Sequence, residues 1–175
     1  MYYLVNEWSL DDERLRKDLE QIGLPIQSLQ LENILDSIFF NQKVDSPLHM
    51  TSLPLPPFWE VCANGDIVSD GMKRGKIDCF QDRPQRVKKV DWYDPDGHCS
   101  MSDHYDRSGS LFLKEVWSAN ERHLSIYTND RMGKLYLFHQ HDRAIYQAID
   151  GLEQGFSSIE DAKKALLQEA LLQAE

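Results

Sequence analysis

His139 and His141, one residue apart, are the first groups in this sequence with a spacing that could bind a metal. On an extended strand both imidazoles lie on one face, where Asp142 or His123 could supply a third ligand. The alternative is a solvent-exposed strand end. Asp94-Pro95-Asp96-Gly97 opens like a calcium loop but lacks the later oxygen ligands and the distal glutamate, and reads as a turn. Cys99 lies near His98 and His104, and thiol with imidazole could make a nucleophile. In a strand, however, His98 points to the opposite face from Cys99, so the pairing needs a bend or another strand. No glycine-rich phosphate loop, Ser/His/Asp arrangement or paired carboxylates accompany these groups. The residues therefore point to a binding module, with no catalytic residue, no metal site and no cofactor assigned.

Large amphipathic rings are better represented: Trp92, Tyr93, Tyr105, Trp117, Tyr127 and Tyr136. Such side chains anchor interfaces or stack on sugar rings, and they also pack against each other across strands. Both readings stand at this level.

The elements that position these rings follow from turn chemistry. Gly97, Gly109 and Gly133 fall at multiples of twelve residues, with Glu121 at the same place in the remaining block. Asp94-Pro95-Asp96-Gly97, Asp106-Arg107-Ser108-Gly109 and Asp130-Arg131-Met132-Gly133 are turn signals between strand-length runs, the pattern of a β-meander. Ser118-Ala119-Asn120-Glu121 has no glycine and predicts a longer or looser connection. Leu111, Leu113, Glu115 and Trp117 share one face, and Phe112, Lys114 and Val116 the other. Neither face is cleanly polar, so part of each must be covered.

Upstream, Tyr2-Tyr3-Leu4-Val5, a helix capped by Ser9 and ended by Gly23, and residues 25–31 read as a β-α-β unit. Its first turn has no glycine and carries carboxylates, so it reads as scaffold and not as a phosphate cradle. Residues 32–40 predict a short helix. In the Pro-rich residues 54–57 the chain is extended, and Phe58 and Trp59 lead into a strand reaching about Cys62. Ala63-Asn64-Gly65-Asp66 is a hairpin signal. Residues 142–152 are ambiguous between strand and helix, and residues 159–174 form an amphipathic helix behind Ser157 and Ser158, which precede Glu160 and Asp161 in a capping-box arrangement. The fold class is α+β: an antiparallel meander with a β-α-β start and a C-terminal helix. The expected divisions are residues 1–49, the sheet at 50–141, and a helical return segment at 142–175.

Composition restricts function further. Nineteen Lys and Arg against 29 Asp and Glu give a net charge of −10, which argues against general nucleic-acid binding. Residues 73–89 hold a local excess of five positive charges, suited either to an acidic partner or to a solvated edge. Cys62, Cys79 and Cys99 have no metal-ligand spacing and read as reduced thiols in a cytoplasmic protein. No apolar run approaches the roughly eighteen residues of a membrane span.

Three stretches together resemble one family: Pro54-Leu55-Pro56-Pro57-Phe58-Trp59-Glu60-Val61, then Arg86-Val87-Lys88-Lys89-Val90-Asp91-Trp92-Tyr93-Asp94, then Ser102-Asp103-His104-Tyr105-Asp106-Arg107-Ser108-Gly109. Their order and separation resemble the N-terminal region of the glycosyltransferase-stabilising subunit of the bacterial accessory Sec system. The resemblance implies an extended antiparallel sheet inserted into the first lobe of a glycosyltransferase-like fold. It implies a catalytic glycosyltransferase subunit as partner and a Ser/Thr-rich adhesin as acceptor polypeptide, O-glycosylated before export. Peripheral membrane association and pairing of two copies at an open sheet edge are compatible with it. The second lobe and its sugar-nucleotide site have no counterpart here, so no catalytic residue carries over. The residues it nominates as partner and acceptor contacts are Phe58, Trp59, Trp92, His104, Tyr105 and Trp117. Two alternatives remain: a fragment or small relative of a sugar-nucleotide-dependent glycosyltransferase with its own activity, and a tyrosine-rich repeat module.

Overall fold

The periodic turns of the sequence become hairpins. Residues 34–39 and 46–172 are described in the computed structural model, with side chains described as far as Leu166. They form helix α1 (Ile34–Phe39), strands β1 (Glu60–Val61), β2 (Asp66–Ser69), β3 (Met72–Phe80), β4 (Arg83–Tyr93), β5 (Cys99–Tyr105), β6 (Leu111–Ser118), β7 (Glu121–Asn129), β8 (Gly133–Phe138), β9 (Arg143–Gln147) and β10 (Glu153–Phe156), and helix α2 (Ile159–Leu172). The strands make one antiparallel sheet in sequence order, each paired with its chain neighbours. The expected β-α-β unit lies outside the described residues.

Four connections share one hydrogen-bond pattern. In Cys62–Asp66, Asp94–His98, Asp106–Ser110 and Ala148–Leu152, the first residue's N–H donates to the fifth residue's carbonyl and accepts, through its own carbonyl, the N–H of the fourth. That fourth residue is a glycine with φ between 84° and 86°. This is a turn followed by a left-handed residue, which suits the strand twist. The side chains of Asp94 and Asp106 reinforce it: Asp94 Oδ1 accepts the amides of Asp96 and His98 at 3.0 and 2.8 Å, and Asp106 Oδ1 those of Ser108 and Ser110 at 2.9 and 3.0 Å.

The expectation of a loose turn at Ser118–Glu121 is overturned. Ser118 pairs with Glu121, and Ala119 and Asn120 both take positive φ, 50° and 64°. This two-residue turn needs φ > 0 twice, and asparagine tolerates that conformation without glycine. The segment after Asp142 is not helical throughout. A 3-10 turn at His139–His141 ends with Asp142 in the left-handed conformation and leads into β9 and β10. Helix begins at Ile159, where Ser158 Oγ accepts the Asp161 amide at 3.1 Å.

Two cores lie on opposite faces. Register aligns Leu113, Tyr127, Leu135 and Tyr146 in one row, and Leu137, Ala144 and Phe156 in the next row on the same face. Leu35 and Phe39 of α1 and Ala162 and Leu166 of α2 pack on these rows. Tyr146 Oη donates to the Met132 carbonyl. On the reverse face, Ile67, Ile77, Val87 and Val90 of β2–β4 are buried beneath Leu48, Met50, Leu53, Leu55 and Trp59. The Pro-rich segment is therefore the lid of a core.

Gly133 has φ 99°, and a Cβ there would meet the Gln147 carbonyl, whereas at Gly97 (φ 85°) it would meet nothing within 4 Å. Gly133→Ala should cost about 3 kcal/mol and Gly97→Ala about 1 kcal/mol, read from urea unfolding.

Candidate functional site

The six nominated residues divide between two places. Phe58, Trp59, Trp92 and Tyr105 belong to the face lidded by the Pro-rich segment. His104 and Trp117 belong to the other face.

On the lidded face, Trp59 meets Trp92 at 6.3 Å between ring centroids, and the Arg74 guanidinium lies 6.0 Å over Trp59. Trp92 Nε1 donates to Asp103 Oδ2 at 2.8 Å, and Asp103 is ion-paired to Lys114 at 2.9 Å. Half-buried Tyr105 packs on the same core, and burial together with the Asp103 charge pushes its hydroxyl up to about 12. These three rings are engaged by their own chain. Phe58 is different. Its ring is 93% exposed and its φ is 70°. It does not enter a strand, because the Trp59 amide bonds back to the Pro56 carbonyl at 3.2 Å. The turn thus has proline second and a positive φ third, where glycine or asparagine is normally found. An aromatic there costs about 1–2 kcal/mol.

On the other face, a polar row crosses the strands in register: Asp66, Lys76, Asp91, Ser102, Glu115 and Ser125. Glu115 is at its centre. Its Oε2 meets His104 Nε2 at 2.9 Å and its Oε1 meets Arg122 Nε at 3.1 Å. Arg122 in turn lies 5.1 Å over the Trp117 ring. Trp117 Nε1 is buried and has no hydrogen-bond partner among the described residues. Ser102 Oγ donates to Asp91 Oδ1 at 2.6 Å, Lys89 pairs with Asp91 at 2.9 Å, and Ser125 Oγ meets His139 Nε2 at 2.8 Å. Toward β2, Asp66 pairs with Lys73 at 2.8 Å, and Lys73 Nζ stands 5.4 Å over Tyr93.

The electrostatics follow these contacts. Burial pushes the Glu115 carboxyl up, but the His104 hydrogen bond and the Arg122 charge together hold it below its ordinary value. The Lys73 hydrogen bond, helped by Asn64, brings Asp66 to about 2. Burial and the charge of Arg122 hold the His139 imidazole below its ordinary value.

The chemistry considered for the histidines and Cys99 is not assembled. His139 and His141 sit on a 3-10 turn, with His139 half-buried against Ser125 and His141 exposed. Among the described residues no group of three or more His, Cys, Asp or Glu is disposed to hold a metal ion. Cys99 Sγ lies 3.6 Å from Ser102 Oγ, while His98 faces Asp94 and His104 faces Glu115. Glu115, Arg122, Asp91 and Ser102 were not singled out from sequence. Their signal is polar residues two apart on successive strands (Lys89 and Asp91, Ser102 and His104), which becomes a patch only once register is known.

Among the described residues, neither the lid nor a helix covers the rest of each face. Val116, Leu124, Ile126, Tyr136 and Phe138 are half-buried, Ile145 is exposed, and all six belong to neither core. They lie on the lidded face but beyond the lid. None of the helices among the described residues is long and apolar enough to cross a membrane.

Residues 59–156 match the model of the GtfB middle domain. The chain is 37% identical over 82 residues to the UDP-N-acetylglucosamine–peptide N-acetylglucosaminyltransferase stabilizing protein GtfB of Streptococcus gordonii, covering 45% of this chain and 18% of that protein. It is 28% identical over 158 residues to GtfB of Streptococcus pneumoniae, covering 81% and 35%. It therefore spans at most 35% of the length of these two relatives. Among solved structures, a GtfA/B complex bound to UDP and GlcNAc matches with a TM-score of 0.67 at 24% identity, over 94% of this chain and 41% of that one. The accessory secretory protein 1, 2 and 3 complex of Streptococcus pneumoniae matches with a TM-score of 0.61 at 13% identity, over 90% and 33%. At these identities the structural likeness speaks to fold.

Glu115 ionises more easily in the folded chain, so its contribution is complete above 4.5 and is lost as pH falls through its lowered value. His139 acts with the same sign below 6.5, because the fold resists its protonation. Urea stability should therefore decline on acidification. Glu115→Gln should remove the lower part of that decline and cost about 2 kcal/mol at neutral pH.

Proposed function

Because the chain belongs to the GtfB middle domain family, we propose that it is the non-catalytic sheet of a glycosyltransferase-stabilising subunit, docking a glycosyltransferase and holding a Ser/Thr-rich acceptor. One observation supports this reading: among the described residues, each face of the sheet is covered on one half only. The uncovered half of the lidded face is apolar, with Val116, Leu124, Ile126, Tyr136, Phe138 and Ile145. Such a surface suits a folded partner, whose contact would remove it from water. The half of the other face that no described helix covers is polar, with half-buried Asp91 and His104, buried Glu115 and exposed Arg122 beside the rings of Tyr93 and Trp117. Hydroxyl-rich extended polypeptide suits that surface, because its side chains and backbone both need hydrogen-bond partners. The relatives' names describe an N-acetylglucosaminyltransferase stabilizing protein and a GtfA/B complex, which supports the docking half of the reading.

Holding an unfolded acceptor costs ordering entropy, so weak affinity is expected. Trp117→Ala removes the ring under Arg122. It should weaken binding of a Ser-rich peptide about tenfold by calorimetry and leave the circular-dichroism spectrum folded. Failure of the unaltered chain to bind either the catalytic subunit or the peptide would refute the proposal.

A further inference from the structure

We propose that Phe58 is the anchor of the partner interface, inserting into an apolar pocket of the glycosyltransferase subunit. This rests on the docking function proposed above and adds the residue through which it is exerted.

Three features of the turn argue for it together. The ring is 93% exposed, more than any other large hydrophobic side chain described. Its backbone is held at φ 70° in a turn position that glycine or asparagine would occupy without strain. The turn is pinned on both sides, by Leu53 and Leu55 before it and by Trp59 and Val61 after it, all packed on one core. Trp59 is itself held between Trp92 and Arg74, so Phe58 cannot fold back onto the sheet without breaking these contacts. A rigid, strained and fully presented ring is unfavourable to the free chain on each count. It becomes favourable when a partner takes the ring out of water, and its pre-ordering lowers the entropy cost of binding.

The occupant follows from shape and charge. A single projecting ring needs a preformed concavity, which a folded protein has and an extended Ser/Thr-rich chain lacks. A second copy of this chain offers an opening lined by Phe138, Ile145 and Phe156. Two chains of net charge −10 repel each other, however, which favours a different protein. The Pro-rich segment also lies on the face whose far half is the apolar patch that no described residue covers, so ring and patch can serve one continuous interface.

The test is calorimetry or co-purification of the full chain with its co-expressed glycosyltransferase subunit, using Phe58→Ala and Phe58→Asn. Each should weaken binding about 30-fold. Phe58→Asn should leave thermal stability equal or higher, since asparagine tolerates the left-handed backbone. That combination distinguishes an anchor from a packing residue, whose loss lowers stability as well. Wild-type affinity in both variants overturns the assignment and leaves the docking function standing. Absence of binding by the unaltered chain overturns both. Two further results would also overturn it: a homodimer of the unaltered chain that Phe58→Ala dissolves, and loss of Ser-rich peptide binding with subunit binding intact.

Discussion

A β-strand gives each face of its sheet only every second side chain, and every other property of this fold depends on how that constraint is met. Among the described residues, ten strands are too many for one short lid and two helices to cover on both faces. The lid takes one face at β2–β4 and the helices take the other at β6–β9. Residue rows must then change character partway across. The row that begins Asp66, Lys76, Asp91 ends Leu137, Ala144, Phe156. The row that begins Ile77 and Val90 passes through the Asp103–Lys114 ion pair before Ile126 and Tyr136. Register irregularities at His104/Tyr105 and Val116/Trp117 fall where the change occurs. A bulge places two neighbouring residues against one, which lets Phe112 and Leu113 both enter the helix-covered core.

The Glu115 cluster sits at this changeover. A carboxylate that is 7% exposed is tolerable only because a histidine and an arginine both reach it. Arg122 also stacks on Trp117, and Glu115 therefore fixes the orientation of the largest ring on the open polar face. Polar side chains at such a boundary keep the sheet from exposing apolar area where no core exists. They also leave hydrogen-bonding groups facing solvent.

Turn chemistry made much of the meander legible in the sequence. Asp, Asn and Gly at fixed offsets act through their own backbone and need no distant partner, so the hairpins that bear Gly65, Gly97, Gly109 and Gly133 are legible, and the one that bears Gly151 is not. The Ala119-Asn120 turn was misjudged because asparagine's tolerance of positive φ is quieter than glycine's. Strand and helix are not separable from sequence at residues 142–152, since Ile145, Ile149 and Leu152 fit a helical spacing that Gly151 breaks, and only pairing with β8 decides. The aromatic candidates were recognised as a class, but their allocation to opposite faces was not. Whether Trp92 is held by Asp103 or Trp117 by Arg122 depends on which residues lie opposite across strands, and one chain read linearly does not contain that information.

Every strand among the described residues pairs only with its neighbours in sequence, so this sheet is in effect a one-dimensional polymer of hairpins. Its span, nine strand spacings or roughly 43 Å, is set by the number of hairpins and not by a closed topology. Gain or loss of one hairpin would change the distance between its two ends by about 10 Å without rethreading the chain. A sheet built this way can change its reach through simple duplication or deletion of one turn and two strands.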